Sequence, residues 1–168
     1  MPEKPNKREF LSRFDAVVDS QRRLAIPKQW RFDSDPEDLS FFLTVGVGPS
    51  LELFEYAEYE KRQASLAAGR GTADYEFLAT ASSMYSTMVK LDKQGRITIP
   101  QHMLDAAMIK TKVLCIGSSA FGSIYAPEVW AVRDPGIQKV IDFNLAFRRP
   151  TTTITQSETK ILMTTDTQ

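Results

Sequence analysis

The 168-residue chain is 42% hydrophobic and balances 21 basic against 21 acidic residues, a composition that suits one compact core or two small halves sharing a core. One cysteine, Cys115, forbids an intramolecular disulfide, and one histidine, His102, excludes a multi-histidine metal site. No apolar run approaches the roughly 18–20 residues of a membrane span, and the polar start "MPEKPNKREF" lacks the apolar core of a signal peptide, so the cytoplasm is the expected compartment.

The neutral total conceals segregation. Residues 1–31 carry eight basic and four acidic residues, whereas residues 33–60 carry eight acidic residues and no Lys or Arg. Such a distribution predicts a basic face and an acidic face, and suits a protein that holds an anionic ligand on one side.

In chain order, the first notable stretch is "VDSQRRLAIP" (18–27), which reads as a hairpin tip running into a short helix, "PKQWRF", stopped by "DSDP". "FLTVGVGPSLELFEYAEYE" (42–60) follows as a second hairpin entering a helix. Residues 57–87 read as helices that connect and buttress the halves: Glu58 stands four before Arg62, and Phe77, Leu78, Ala81 and Met84 recur at the spacing of a core-facing stripe. "LDKQGRITIP" (91–100) then repeats the first hairpin, with Asp19, Gln21, Arg23, Ile26 and Pro27 recurring as Asp92, Gln94, Arg96, Ile99 and Pro100. Val89, Leu91, Ile97 and Ile99 alternate with Lys90, Arg96 and Thr98, the period of half-buried strands. Gly95 supplies the left-handed backbone that a three-residue loop with a bulge requires. Arg22 occupies that position in the first copy. A side chain there costs about 1–2 kcal/mol, so the first turn has another shape, or the extra charge is worth the strain, or the position has drifted in a tolerant loop.

Pro100 suits the first turn of a helix, "PQHMLDAAMI", with Met103, Leu104, Ala107 and Met108 inward. "VLCIGSSAFGSIYAPEVWA" (113–131) can be laid over residues 42–60 at an offset of 71, against 73 for the hairpin tips. Two matched blocks in the same order indicate an internal duplication. Residues 136–147 can form an amphipathic helix through Ile137, Val140, Ile141 and Leu145. The Thr-rich tail from Pro150 reads as loosely ordered apart from an extended "KILM".

With these two Asp-x-x-x-Arg hairpins, the chain resembles the MraZ family, a branch of the SpoVT/AbrB-like swapped-hairpin proteins, over residues 10 to about 132. The first copy departs from the family pattern at Ser20 and Arg22, where Lys precedes Gly, and the second at Gln94, where Lys is usual. The resemblance implies an α+β fold, a tandem duplicated swapped-hairpin (AbrB-like) β-barrel with flanking helices. Its repeats would span 10–60 and 87–132, with a helical connector at 61–86 and an extra helix and tail at 133–168. It also implies a DNA-binding transcriptional regulator, nucleoid-associated and without a cofactor, that binds short direct repeats upstream of the division and cell-wall gene cluster and assembles as a homo-oligomeric ring.

Duplex DNA is bound by neutralising phosphates with Lys and Arg, and Arg can also read guanine in the major groove. Arg22, Arg23, Lys93 and Arg96 at the hairpin tips are the leading DNA-binding candidates, with Lys28, Arg31 and Lys90 as secondary phosphate contacts. Asp19, Asp92, Gly95, Pro27 and Pro100 are the structural residues of the motif. Arg23 and Arg96 can instead serve only to pair with Asp19 and Asp92 across the loops. Two other readings are an oligomeric partner-binding scaffold that has lost DNA affinity and a swapped-hairpin antitoxin using residues 133–168. An enzyme ranks last, since one His, one Cys and no Gly-rich phosphate loop leave no catalytic constellation to build.

Overall fold

The computed structural model describes residues 7–66 and 70–148. The chain runs β1 (Arg13–Val17), β2 (Arg23–Ala25), a single 3-10 turn (Lys28–Trp30), β3 (Ser40–Val45), β4 (Ser50–Phe54), α1 (Tyr56–Leu66) and α2 (Ala73–Ser83). It continues through β5 (Ser86–Lys90), β6 (Arg96–Thr98), α3 (Gln101–Ala106), β7 (Lys112–Gly117), β8 (Phe121–Tyr125), α4 (Pro127–Arg133) and α5 (Ile137–Arg148). One compact unit ends at Val132, and a second begins at Arg133 and holds α5. The expected extended "KILM" and the rest of the Thr-rich tail lie outside the described residues.

The fold is mixed α+β with antiparallel pairing throughout. Six strands form one sheet in the order β1-β7-β8-β4-β3-β5, while β2 and β6 form a separate two-stranded ribbon. The pairings cross between the chain's two halves: β1 pairs with β7, β5 with β3, β4 with β8, and β2 with β6. Only β3–β4 and β7–β8 are hairpins of one half. The closed barrel is not formed. β1 and β5 are the free edges of an open sheet, because the chain leaving each turns at Asp19 or Asp92 into the ribbon instead of meeting the opposite edge.

Alternation along the strands places Leu24, Ile26, Val89, Leu91, Ile97 and Ile99 in the core. The 3-10 turn contributes Trp30, fully buried, whose indole N–H donates to the Leu11 carbonyl at 2.8 Å and whose ring meets Phe10 edge-on at 5.3 Å. β8 admits this ring because Gly122 lacks a side chain: a Cβ there would stand 2.6 Å from the indole.

Several expectations need correction. Met103, Leu104 and Ala107 are buried as expected, but Met108 is 62% exposed. It takes a left-handed backbone (φ 57) just past α3, where Ile109 N–H donates back to the Leu104 carbonyl, and this helix-ending turn swings the side chain outward. α2 buries nothing: Phe77 is 74% and Leu78 64% exposed, with Met84 exposed beside them. Glu58 pairs with Lys61 and Lys7 rather than Arg62, whose guanidinium instead binds Glu52 and lies over the Phe54 ring.

The charge segregation along the sequence is partly cancelled in space. Arg8, only 3% exposed in its side chain, is held by Asp35 at 2.7 Å, Glu55 at 2.8 Å and the Trp30 carbonyl at 2.6 Å. The basic N-terminal segment is thereby stitched onto the acidic one.

Candidate nucleic-acid interface

The two tips, expected as hairpins of paired strands, are instead turns that carry the chain from the six-stranded sheet into the ribbon, and each is built around an aspartate that acts as a four-way acceptor. Asp19 Oδ1 accepts the Gln21 and Arg23 backbone N–H groups, each at 2.9 Å, and Oδ2 accepts Arg23 Nε at 2.8 Å and Nη2 at 2.7 Å. Asp92 repeats the arrangement with Gln94 and Arg96 at the same four distances. The backbone agrees, since Arg22 N–H donates to the Asp19 carbonyl at 2.9 Å and Gly95 N–H to the Asp92 carbonyl at 2.8 Å. Asx-type bonds of this kind close a turn locally without help from the core.

The two tips are joined to each other. Ile26 N–H donates to the Gly95 carbonyl and Ile99 N–H to the Arg22 carbonyl, both at 2.9 Å, extending the ribbon in which Leu24 faces Ile97. The Asp-x-x-x-Arg loops therefore sit on one shared ribbon. The side-chain hydrogen bond from Arg23 is the main cause that lowers the Asp19 carboxyl to about 2, and the one from Arg96 lowers Asp92 in the same direction. Both aspartates are ionised whenever the protein is near neutral pH, so both clamps are closed.

Arg22 and Gly95 have the same left-handed backbone, at φ 61 and φ 75. The first turn thus keeps the shape and carries the strain, which excludes a turn of another shape and leaves useful charge or drift in a tolerant loop as the reason for Arg22. Surroundings differ, however. A Cβ on Gly95 would stand 2.2 Å from Arg31 Nη1, so glycine there makes room for a guanidinium beneath the loop.

The candidate DNA-binding residues divide accordingly. Arg22, Lys28, Lys90 and Lys93 are exposed. Arg23 and Arg96 are clamped, yet their side chains remain 30% and 25% exposed, so pairing and presentation to a ligand are compatible. Arg31 is half-buried with its Nε enclosed and without a hydrogen-bond partner; it supports the second loop from below. Lys90 and Lys93 line one groove with Glu37, Asp38 and Asp92, an acidic neighbourhood that the hairpin motif does not reveal. Pro27 and Pro100 directly precede the 3-10 turn and α3, as their fixed φ of −50° and −58° suits.

Sequence reasoning missed Lys110. It lines a groove of about 440 Å3 with Asp19, Ser20 and Arg22. No local sequence pattern marks it: the fold alone brings the next residue, Thr111, to the first loop, where its carbonyl accepts from Val18 N–H at 2.8 Å, as the Leu39 carbonyl accepts from Leu91 N–H at 2.9 Å in the other half. Among the described residues, no helix is long and apolar enough to cross a membrane.

Comparison with known proteins bears on the family. The family model described as "MraZ protein, putative antitoxin-like" matches residues 84–132. The chain is 28% identical over 128 residues to the transcriptional regulator MraZ of Clostridium acetobutylicum, covering 72% of this chain and 84% of that protein. It is 27% identical to the protein of the same name from Thermomicrobium roseum, covering 74% and 86%. With the one from Koribacter versatilis it shares 30% identity over 111 residues, covering 64% of this chain and 76% of the relative. On the extent of that likeness, and with both Asp-x-x-x-Arg loops formed, the chain belongs to the MraZ family of transcriptional regulators.

Proposed function

We propose that this protein binds duplex DNA through its paired hairpin tips and regulates transcription by recognising short direct repeats upstream of the division and cell-wall gene cluster. The single observation that carries the reading is the pair of clamped arginines, Arg23 and Arg96, held at matched distances on one ribbon. A pre-organised guanidinium loses little freedom on meeting a phosphate or a guanine edge, which is where a flexible side chain loses affinity. The matched bonds also support reading the halves, 10–60 and 87–132, as a duplicated swapped-hairpin unit with a helical connector at 61–86.

A module with few phosphate contacts binds weakly alone. We infer a homo-oligomer, closing as a ring, whose copies engage successive repeats and gain through effective concentration. The exposed apolar residues of α2 support self-association. Cytoplasmic, nucleoid-associated location follows from the same reading.

The test is fluorescence anisotropy of the full chain on its own upstream DNA and on a shuffled duplex across a salt series, with an isolated single repeat as a third probe. Tighter, salt-weakened binding to the upstream DNA, stronger on the array than on one repeat, is expected. Equal and negligible binding to all three by a folded oligomer sinks the regulator reading and favours the partner-binding scaffold. The antitoxin reading has one observation in its favour: α5, in the unit after the family match, carries Ile137, Val140, Ile141 and Leu145 exposed along one helix. Stable capture of a toxin by residues 133–168 would support it.

A further inference from the structure

We propose that Arg22 and Lys110 form a phosphate-binding site for duplex DNA beside the first hairpin, and that the second hairpin has no counterpart; this rests on the DNA-binding reading above. Strain, charge and the chain's own near-symmetry converge on it.

Arg22 holds a left-handed backbone where the matched position is glycine, although its exposed side chain makes no hydrogen bond or ion pair among the described residues. A strained residue with no structural partner is a candidate for a functional one. Glycine would build the same turn without left-handed strain, so what arginine adds is a projecting cation. The neighbouring Asp19 carboxylate already takes four bonds, from the Gln21 and Arg23 backbone and the Arg23 side chain, and none from Arg22 among the described residues.

Lys110, also exposed, enters the same groove from the segment between α3 and β7. The first loop is anchored by Val18 N–H to the Thr111 carbonyl and the second by Leu91 N–H to the Leu39 carbonyl. The residue just before each acceptor is therefore equivalent: Lys110 beside the first loop, Asp38 beside the second. This reverses the sign of the wall. A phosphate approaching the first loop meets Arg22 and Lys110 beside Asp19, whereas one approaching Lys90 and Lys93 meets Glu37 and Asp38 as well as Asp92, so acidic groups outnumber basic ones only in the second groove. Arg31 does not redress the balance, because its guanidinium lies under Gly95 with Asp35 among its electrostatic neighbours.

The test compares wild type, Arg22→Gly, Lys110→Ala and Lys93→Ala by anisotropy on the upstream DNA from low to moderate salt. All three sites are exposed, and a thermal melt checks that each variant folds. Arg22→Gly and Lys110→Ala should each weaken binding and reduce the slope of log K against log salt by about 1, the signature of one lost phosphate contact. Lys93→Ala, at a tip residue that shares its groove with Glu37 and Asp38, should reduce the slope by clearly less than either. A wild type that binds, with Lys93→Ala lowering the slope as much as Lys110→Ala, overturns the proposal, as do unchanged slopes in both first-groove variants. A wild type that binds no DNA overturns the regulator reading itself, a separate and recognisable outcome.

Discussion

At the scale of single residues, the two Asp-x-x-x-Arg tips show how one aspartate can define a loop and how two loops with the same bonds can differ in their surroundings. Arg22 at φ 61 and Gly95 at φ 75 occupy equivalent turns in different settings, one open and one filled by Arg31. Arg22→Gly should therefore stabilise the protein by about 0.5–1 kcal/mol in urea denaturation, relief of left-handed strain being partly offset by the greater chain entropy of glycine. Gly95→Arg should destabilise it by about 2 kcal/mol, since the new side chain must displace a guanidinium as well as accept the strain. The clamps also set a pH dependence. Asp19 falls from the ordinary carboxylate value to about 2 on folding, so its contribution is fully present above the unfolded value and is lost as pH falls through the folded one. A carboxyl NMR titration should place the Asp19 midpoint near 2, and Arg23→Gln should raise it part of the way towards about 4, the unperturbed range, because the backbone N–H groups of residues 21 and 23 still donate to the carboxylate. An unchanged midpoint would show that the Arg23 side chain is not the dominant cause.

At the scale of elements, local periodicity made the strands legible, whereas the environment of the helices was not. Val89, Leu91, Ile97 and Ile99 alternate and are buried, because in a strand the face of each residue follows from its neighbours. α2 shows the limit: Phe77, Leu78, Ala81 and Met84 have helical spacing and do lie on or beside a helix, yet none is buried. Amphipathic spacing states that a face wants covering and says nothing of whether the cover comes from the same chain. The candidate site was half legible. Asp19, Arg23, Asp92 and Arg96 could be read from a short repeat, but Lys110 and Asp38 reach the tips from distant segments and no local pattern marks them. The 3-10 turn, too short for any periodic signal, carries the largest core side chain. Trp30→Ala should cost about 3–5 kcal/mol, read as an earlier urea midpoint with an unchanged m-value; a much smaller loss would mean that Phe10, Phe14 and the space at Gly122 close over the cavity.

At the scale of the whole molecule, the exposed apolar residues continue from α2 through Met84 to Met88 on β5, a free edge of the sheet. Apolar surface gathered on one helix and an adjoining edge is characteristic of an interaction site. Phe77→Glu with Leu78→Glu should lower the mass measured by light scattering while leaving the thermal melt near wild type; an unchanged mass would move the contact elsewhere. The crossed pairing makes a stricter demand on the fold. Among the described residues, β1 has its only sheet neighbour in β7, β5 has its only one in β3, and the ribbon takes one strand from each half. A half cut from its partner keeps a single hairpin, β3–β4 or β7–β8, and an isolated hairpin is marginal in water. Fragments 1–66 and 70–168 should therefore each lack a cooperative melt as monomers, and mixing them should restore the sheet's circular dichroism in a one-to-one complex, since the missing partners are then supplied in trans. A folded monomeric fragment, detected by sedimentation and a cooperative melt, would show that one half can complete its own core and that the crossed strands are not what makes the halves interdependent.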